Sequence, residues 1–275
     1  MRPAPAAAEP ALAAALRAAS YEVLPLRGAE ERVLAHVPRE VALSVTTTAA
    51  RGLEPTVELA ARLTAAGYRV APHLAARQVR DRAHLDDVLA RLHAARIEGV
   101  FVVGGDAPDP AGPFPDALSL LEALDGRFGS VGIGGYPEGH GRIADAQIER
   151  AMAAKAPHAT YVVTQLCFDA AAITRWAGGV DLPVRVGVPG PVARAKLVRI
   201  AAGLGLGQSA RFLAKQRGLV GRFLLPGGYR PDRLVRGLGP AFARGAGLHV
   251  YTFNELAATE SWRQSRLARL AGATR

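Results

Sequence analysis

Gly99-Val-Phe-Val-Val-Gly-Gly-Asp-Ala-Pro-Asp109 is the stretch whose reading decides the fold. Val100, Phe101, Val102 and Val103 run without a polar break, the pattern of a strand buried on both faces. Gly104 and Gly105 then free the backbone, and Pro108 ends regular structure. Between them Asp106 presents a carboxylate just past the strand. A turn residue capping a strand and a carboxylate placed for chemistry both suit that position. What the chain sets beside it decides between them.

Seven further apolar runs have strand character: Tyr21 to Leu24, Val41 to Val45, Tyr68 to Ala71, Ser130 to Gly134, Thr160 to Thr164, Pro183 to Gly187 and Gly247 to Tyr251. Helical periods lie between most of them. Leu85, Val88, Leu89 and Leu92 fall at i, i+3, i+4 and i+7, an apolar stripe for packing on a sheet. Pro55 and Gly67 bracket a helix carrying Val57 and Leu63. Ile148 and Met152, and Leu197 and Ala201, pair one turn apart. Strand alternating with helix means a parallel sheet, and eight units predict an α/β fold closed as a (β/α)8 TIM barrel. A doubly wound open sheet is the alternative, weakened because no Gly-x-Gly-x-x-Gly follows the first strand. Residues 190–245 are long enough for extra helices before the eighth strand, read over Val192–Ala202, Gln208–Arg217 and Pro231–Ala243. Residues 1–18 read as an Ala- and Pro-rich extension, and 19–275 as one barrel domain.

Composition narrows the function classes. A hydrophobic share of 49% against 21% charged residues describes a globular chain with ample core. No stretch approaches the ~18 uncharged apolar residues of a membrane span. Glu9, Pro10 and Arg17 interrupt the start against a secretory pattern, so a cytoplasmic location is expected. The single cysteine, Cys167, excludes an internal disulfide framework. The net charge of +10 comes almost wholly from arginines scattered along the chain, with three lysines at 155, 196 and 215. No recognition motif accompanies it, so a nucleic-acid partner is not expected, whereas attraction of an anionic ligand is.

In a barrel the carboxyl ends of the strands build the active site. Those positions carry Glu22, Thr46, His73, Asp106, Tyr136 with His140, Gln165 and Tyr251. Each has an ordinary reading as a core or rim residue, but a barrel brings all of them to one mouth. His73, His140 and Asp106 lack paired ligand spacing, so no metal is expected. No Gly-x-Ser-x-Gly elbow supports a serine hydrolase.

Tyr21-Glu-Val-Leu-Pro25, Ser44-Val-Thr46, Ala71-Pro-His-Leu74, Gly105-Asp-Ala-Pro108, Tyr136-Pro-Glu-Gly-His140, Thr164-Gln-Leu-Cys-Phe-Asp169 and His249-Val-Tyr-Thr-Phe-Asn254 carry a resemblance. In order and spacing they resemble the motifs of the methylenetetrahydrofolate reductase family, from about Ser20 to Ala258. The resemblance implies a flavin-binding (β/α)8 barrel that reduces 5,10-methylenetetrahydrofolate to 5-methyltetrahydrofolate. It implies FAD as cofactor, NADH or NADPH as hydride donor and a folate as substrate. Glu22 matches the family's proton donor, and Asp106 the acid beside flavin and pterin. Gln165 and Phe168 match substrate-binding positions. Thr46, His73, Gly105, Tyr136, His140, Lys155 and Tyr251, with Asp106, match cofactor-binding positions.

Four departures accompany the resemblance. Gly104 stands where the family often has an arginine, and Glu255 where a basic residue often faces folate. Leu26 replaces the second proline of the first motif, and residues 156–159 replace a small-residue turn. They leave two other readings open: a homologue acting oxidatively or without tightly held flavin, and a non-catalytic folate- or flavin-binding barrel subunit. A homo-oligomer is left open too.

Overall fold

A computed structural model describes residues 5–48, 50–140, 143–193 and 229–273. Eight strands pair in chain order, all parallel, and β8 returns to β1 to close the barrel. They are β1 (Ser20–Val23), β2 (Ala42–Val45), β3 (Val70–Ala75), β4 (Gly99–Val103), β5 (Ser130–Gly135), β6 (Tyr161–Thr164), β7 (Val184–Pro189) and β8 (Gly247–Tyr251). The helices before β8 are α1 (Pro5–Arg17), α2 (Ala29–His36), α3 (Glu54–Ala65), α4 (Arg82–Ala94), α5 (Ala117–Leu124), α6 (Asp145–Lys155), α7 (Ala170–Ala177), α8 (Asp232–Gly237) and α9 (Gly239–Phe242). α10 (Leu256–Ala273) follows β8.

The strands turn their apolar residues outward. Val184, Val186 and Val188, with Tyr21, Val23, Leu248 and Val250, are buried in the main hydrophobic cluster beneath the helices. The alternate positions face the barrel axis and are polar or small: Glu22, Ser44, His73, Arg185 and His249 among them. Space inside is set by glycines opposite aromatics. A Cβ on Gly132 would lie 2.5 Å from Phe101 Cδ2 and against the Tyr161 ring. On Gly187 it would lie 2.5 Å from Tyr251 Cε2 and against the Thr164 carbonyl oxygen. Phe101, Tyr161 and Val163 form a small cluster of their own within the barrel.

The expected strands are found, six within one residue of the expected bounds and two shifted further. The third begins at Val70 rather than Tyr68 and continues through Pro72 and His73 to Ala75. Pro72 aligns with Val45 in the ladder, so His73 lies inside the strand rather than past its end. The seventh continues two residues beyond Gly187 to Pro189. The expected helix over Pro231–Ala243 divides at Leu238 into α8 and α9. Pro240 accounts for the break, because it has no N–H and its ring crowds the carbonyl four residues back. Val192 pairs with Tyr229 in an isolated bridge rather than starting a helix. The rest of the helices read over Val192–Ala202 and Gln208–Arg217 lies outside the described residues.

Residues 5–17, read as part of an extension, form α1, which packs on α9 and α10. Leu12 and Leu16 are buried in the main core. A buried ion pair fixes this corner. Arg263 donates from Nε and Nη2 to the two Glu260 carboxylate oxygens at 2.9 and 2.8 Å, and from Nη1 to the Leu16 carbonyl. Tyr21 donates to Glu260 at 2.7 Å, which ties β1 to α10. Burial alone would raise the Glu260 carboxyl, but hydrogen bonds from Arg263, Gln264 and Tyr21 outweigh it and hold it below its usual range.

The glycine–aromatic fit yields a test. Gly187→Ala is expected to lower the unfolding free energy by about 3 kcal/mol, because backbone rather than a flexible side chain blocks the new methyl. Gly129→Ala, where an added Cβ meets nothing within 4 Å, is expected to be near neutral. Urea unfolding of the two variants checks the contrast.

Candidate active site

At the carboxyl ends of the strands a cavity of about 770 Å³ opens. Of the residues singled out in the sequence, Glu22, Thr46, His73, Gly105, Asp106, Tyr136, His140, Gln165 and Tyr251 all line it. Lys155 and Phe168 do not. Lys155 ends α6 half-buried; burial lowers its pKa and the Asp116 charge partly restores it. Phe168 is buried edge-on against Tyr229, 5.9 Å between centroids.

Glu22 projects toward the barrel axis, facing opposite to its apolar strand neighbours Tyr21 and Val23. Among the described residues no ion pair or side-chain hydrogen bond reaches it, so it is not a rim salt bridge. Its backbone carbonyl accepts from Thr252 Oγ1 at 2.5 Å, which pins the strand rather than the acid. Burial alone pushes the carboxyl up to about 7. Tyr251 stands nearby. Burial first, and then the Glu22 charge, raise its phenol well above the usual range, so it stays a donor, to the Thr164 carbonyl at 2.7 Å. His73 and His249 are buried and held neutral, each lowered to about 3 chiefly by desolvation. His73 lies against Phe101, with 4.6 Å between centroids.

The opposite wall is made by loops. Gly105, at φ 94°, makes the left-handed turn that follows β4, and a Cβ there would meet Ala75 Cβ at 3.1 Å. Asp106 is exposed on that turn, near enough for its charge to reinforce the effect of burial in raising the Tyr136 phenol. Tyr136 meets His140 edge-on at 5.2 Å. Gln165 donates from Nε2 to the Gly139 carbonyl at 2.8 Å, leaving its own carbonyl oxygen without a protein donor among the described residues.

Three contributors were not singled out in the sequence. Arg77 holds the loop after β4, donating to the carbonyls of Pro115, Ala107 and Pro108 at 2.8, 2.9 and 3.1 Å. Glu138 accepts from the N–H groups of Phe168 and Asp169, joining the loops after β5 and β6. Thr47 donates to Gln78 at 2.8 Å, across the loops after β2 and β3. Glu138 lies inside a motif already quoted; Arg77 gives no sequence signal beyond its place after β3. Among the described residues no group of three His, Cys, Asp or Glu side chains is arranged to hold a metal ion. No helix among them is long and apolar enough to cross a membrane.

The sequence model of the family described as methylenetetrahydrofolate reductase matches residues 19–189, which include β1 to β7 and most of the cavity wall. The chain belongs to the methylenetetrahydrofolate reductase family. The family's chemistry is folate-related reduction, generally associated with a flavin. Solved structures agree on the fold alone. A GH18 chitinase from Flavobacterium johnsoniae superposes with a TM-score of 0.55 at 7% identity, over 94% of both chains. A putative phosphonomutase from Burkholderia cenocepacia gives 0.52 at 14% identity, over 98% of both.

The unpartnered acid makes a pH prediction. Glu22 binds its proton more tightly in the folded chain than in the unfolded one. The folded state is therefore not penalised below about pH 4.5 and is progressively penalised as pH rises through about 7. Glu22→Gln is expected to be more stable than the parent by up to ~3 kcal/mol at pH 8. That advantage should vanish near pH 4, as measured by urea unfolding at the two pH values.

Proposed function

We propose that this chain reduces 5,10-methylenetetrahydrofolate to 5-methyltetrahydrofolate in one-carbon metabolism, with NADH or NADPH as hydride donor. The observation that carries the reading is Glu22: a carboxyl that burial raises to about 7, with no cation paired to it among the described residues, in the wall of the strand-end cavity. Opening the methylene bridge requires a proton at the folate N10, and an acid of pKa near 7 donates it well at neutral pH. Tyr251 and His73, both neutral, keep that corner free of a counter-charge. Gln165, with its amide N–H2 anchored and its carbonyl oxygen unclaimed, suits the N–H groups along a pterin edge.

The walls also suit a flavin. A Cβ on Gly134 would find nothing closer than Tyr136 Oη at 3.8 Å, so the wall is open where a flat ring needs room. Thr46, His73, Gly105, Asp106, Tyr136, His140 and Tyr251 would hold FAD, which when bound supplies hydride transfer between nicotinamide and folate. Lys155 joins them in this reading as a cation beyond the wall, for the pyrophosphate end. Phe168, which does not line the cavity, is placed beside the pterin in this reading only by its match to the family's position. Asp106, exposed and negative, disfavours an anionic reduced ring beside it.

Gly104 favours a second reading, in which flavin is held weakly or the reaction runs oxidatively. It lines the cavity with no side chain, and Arg77, which lines the same cavity, is engaged by three loop carbonyls. The visible spectrum of the purified protein separates the two. A yellow protein bleached by anaerobic NADH and re-oxidised by methylenetetrahydrofolate is expected under the first reading. A colourless protein with NADH-dependent folate reduction selects the second. Glu22→Gln is expected to abolish folate reduction, by about 100-fold or more, while NADH oxidation with an artificial acceptor survives. Full folate activity in that variant removes Glu22 as the acid.

A further inference from the structure

Below Glu22 the barrel encloses a second cavity, of about 400 Å³, which reaches the N-terminal end of the strands. Barrels ordinarily fill this level with branched apolar side chains. Here the first residues of four strands, Ser20, Ala42, Gly99 and Ser130, are small, and Tyr161 and Arg185 line the cavity with them.

Arg185 is the group that asks for a partner. Its guanidinium carbon lies 3.9 Å from the centroid of the Tyr161 ring. Among the described residues no carboxylate pairs with it and no carbonyl accepts from it. Glu22 lines the same cavity but forms no ion pair with it, and burial alone accounts for that acid's shift. Arg185 is only partly buried, so in the absence of an anion its guanidinium is left to water and the ring face, which replaces only part of a partner. The guanidinium therefore retains its five N–H donors.

The surroundings have the same character. Arg69, Arg96 and Glu98 also line the cavity, and Arg69 donates to the Glu40 carbonyl. Ser44 is 7% exposed and its hydroxyl has no partner. His73 and His249 are neutral there and add no charge of their own beside Arg185.

We propose that this lower cavity is a second ligand site, taking a small carboxylate or phosphate anion on Arg185 from the N-terminal face of the barrel. The planar fork of a guanidinium matches two oxygens of either group. Tyr161 and Phe101 form an apolar side for a short carbon chain, and Ser20 and Ser130 a polar one. An anion held there shares its cavity with Glu22 and opposes that carboxyl's ionisation, so occupancy below bears on the acid above.

Calorimetric titration of the full chain with sodium phosphate and with sodium succinate, at constant ionic strength set by chloride, tests the site. Saturable binding of at least one anion is expected, and the tighter of the two identifies the ligand class. Arg185→Gln is expected to weaken it by about tenfold or more, whereas Arg185→Lys keeps most of it. Because phosphate can also bind at the upper mouth, a selenate soak of the crystallised protein locates the ion by anomalous scattering. A peak beside Arg185 supports the site even if Arg185→Gln fails to fold. No saturation by either anion into the tens of millimolar, equal affinity in Arg185→Gln, or a peak only at the upper mouth overturns it.

Discussion

A closed barrel must either fill its axis with side chains or leave room there for something else, and the rest of this structure follows from how the choice is divided. Gly132 and Gly187 admit Tyr161, Phe101 and Tyr251, which occupy the middle of the barrel. Above and below that level the small residues leave space. The stability of the fold therefore rests on the outer layer, where the valines and leucines of the strands meet the helices. Freed from packing duty, the inner positions can carry Glu22, His73 and His249 at the cost of their hydration rather than of the core.

Glu22 lies where both cavities meet, and its chemistry comes from what is absent around it. Its neighbours Tyr21 and Val23 face outward and are fully buried, so they fix the strand but cannot solvate the acid. The contrast with Glu260 is instructive. That carboxylate is also buried, yet Arg263, Gln264 and Tyr21 hold it ionised and bind α1 and α10 to the barrel. Two glutamates in one protein thus take opposite states, one as a structural clamp and one as an acid, according to whether donors converge on them.

Much of this was legible in sequence because parallel strands leave a strong imprint. The unbroken run Val100 to Val103, and Pro55 and Gly67 at the ends of a helix, each specify an element through a local rule. The mouth was legible for a topological reason: once eight strands run parallel, their ends must assemble, and nine of the residues named line one cavity. What was hidden depends on closure. Val184-Arg185-Val186 alternates as a half-exposed strand does, but in a barrel the polar face of that alternation points inward. Pro72 looked like a strand end, yet it sits in register opposite Val45, and His73 moved inside with it. Residues 5–17 looked like an extension because nothing local shows that Arg263, 247 residues after Leu16, will donate to the Leu16 carbonyl.

The ladder between β6 and β7 has a consequence for how the protein fails. Its register spans only Val162↔Val184 and Val163↔Arg185. Beyond those pairs side chains do the joining: Gly187 N–H donates to Thr164 Oγ1 at 2.9 Å, and Tyr251 reaches across from β8 to the Thr164 carbonyl. A barrel is free of sticky edges only while every neighbour is joined. Opening this short seam would bare two such edges, and the bonds to Thr164 add to the few ladder pairs that span it. The tyrosine that borders the candidate catalytic acid thereby also helps to hold the sheet closed.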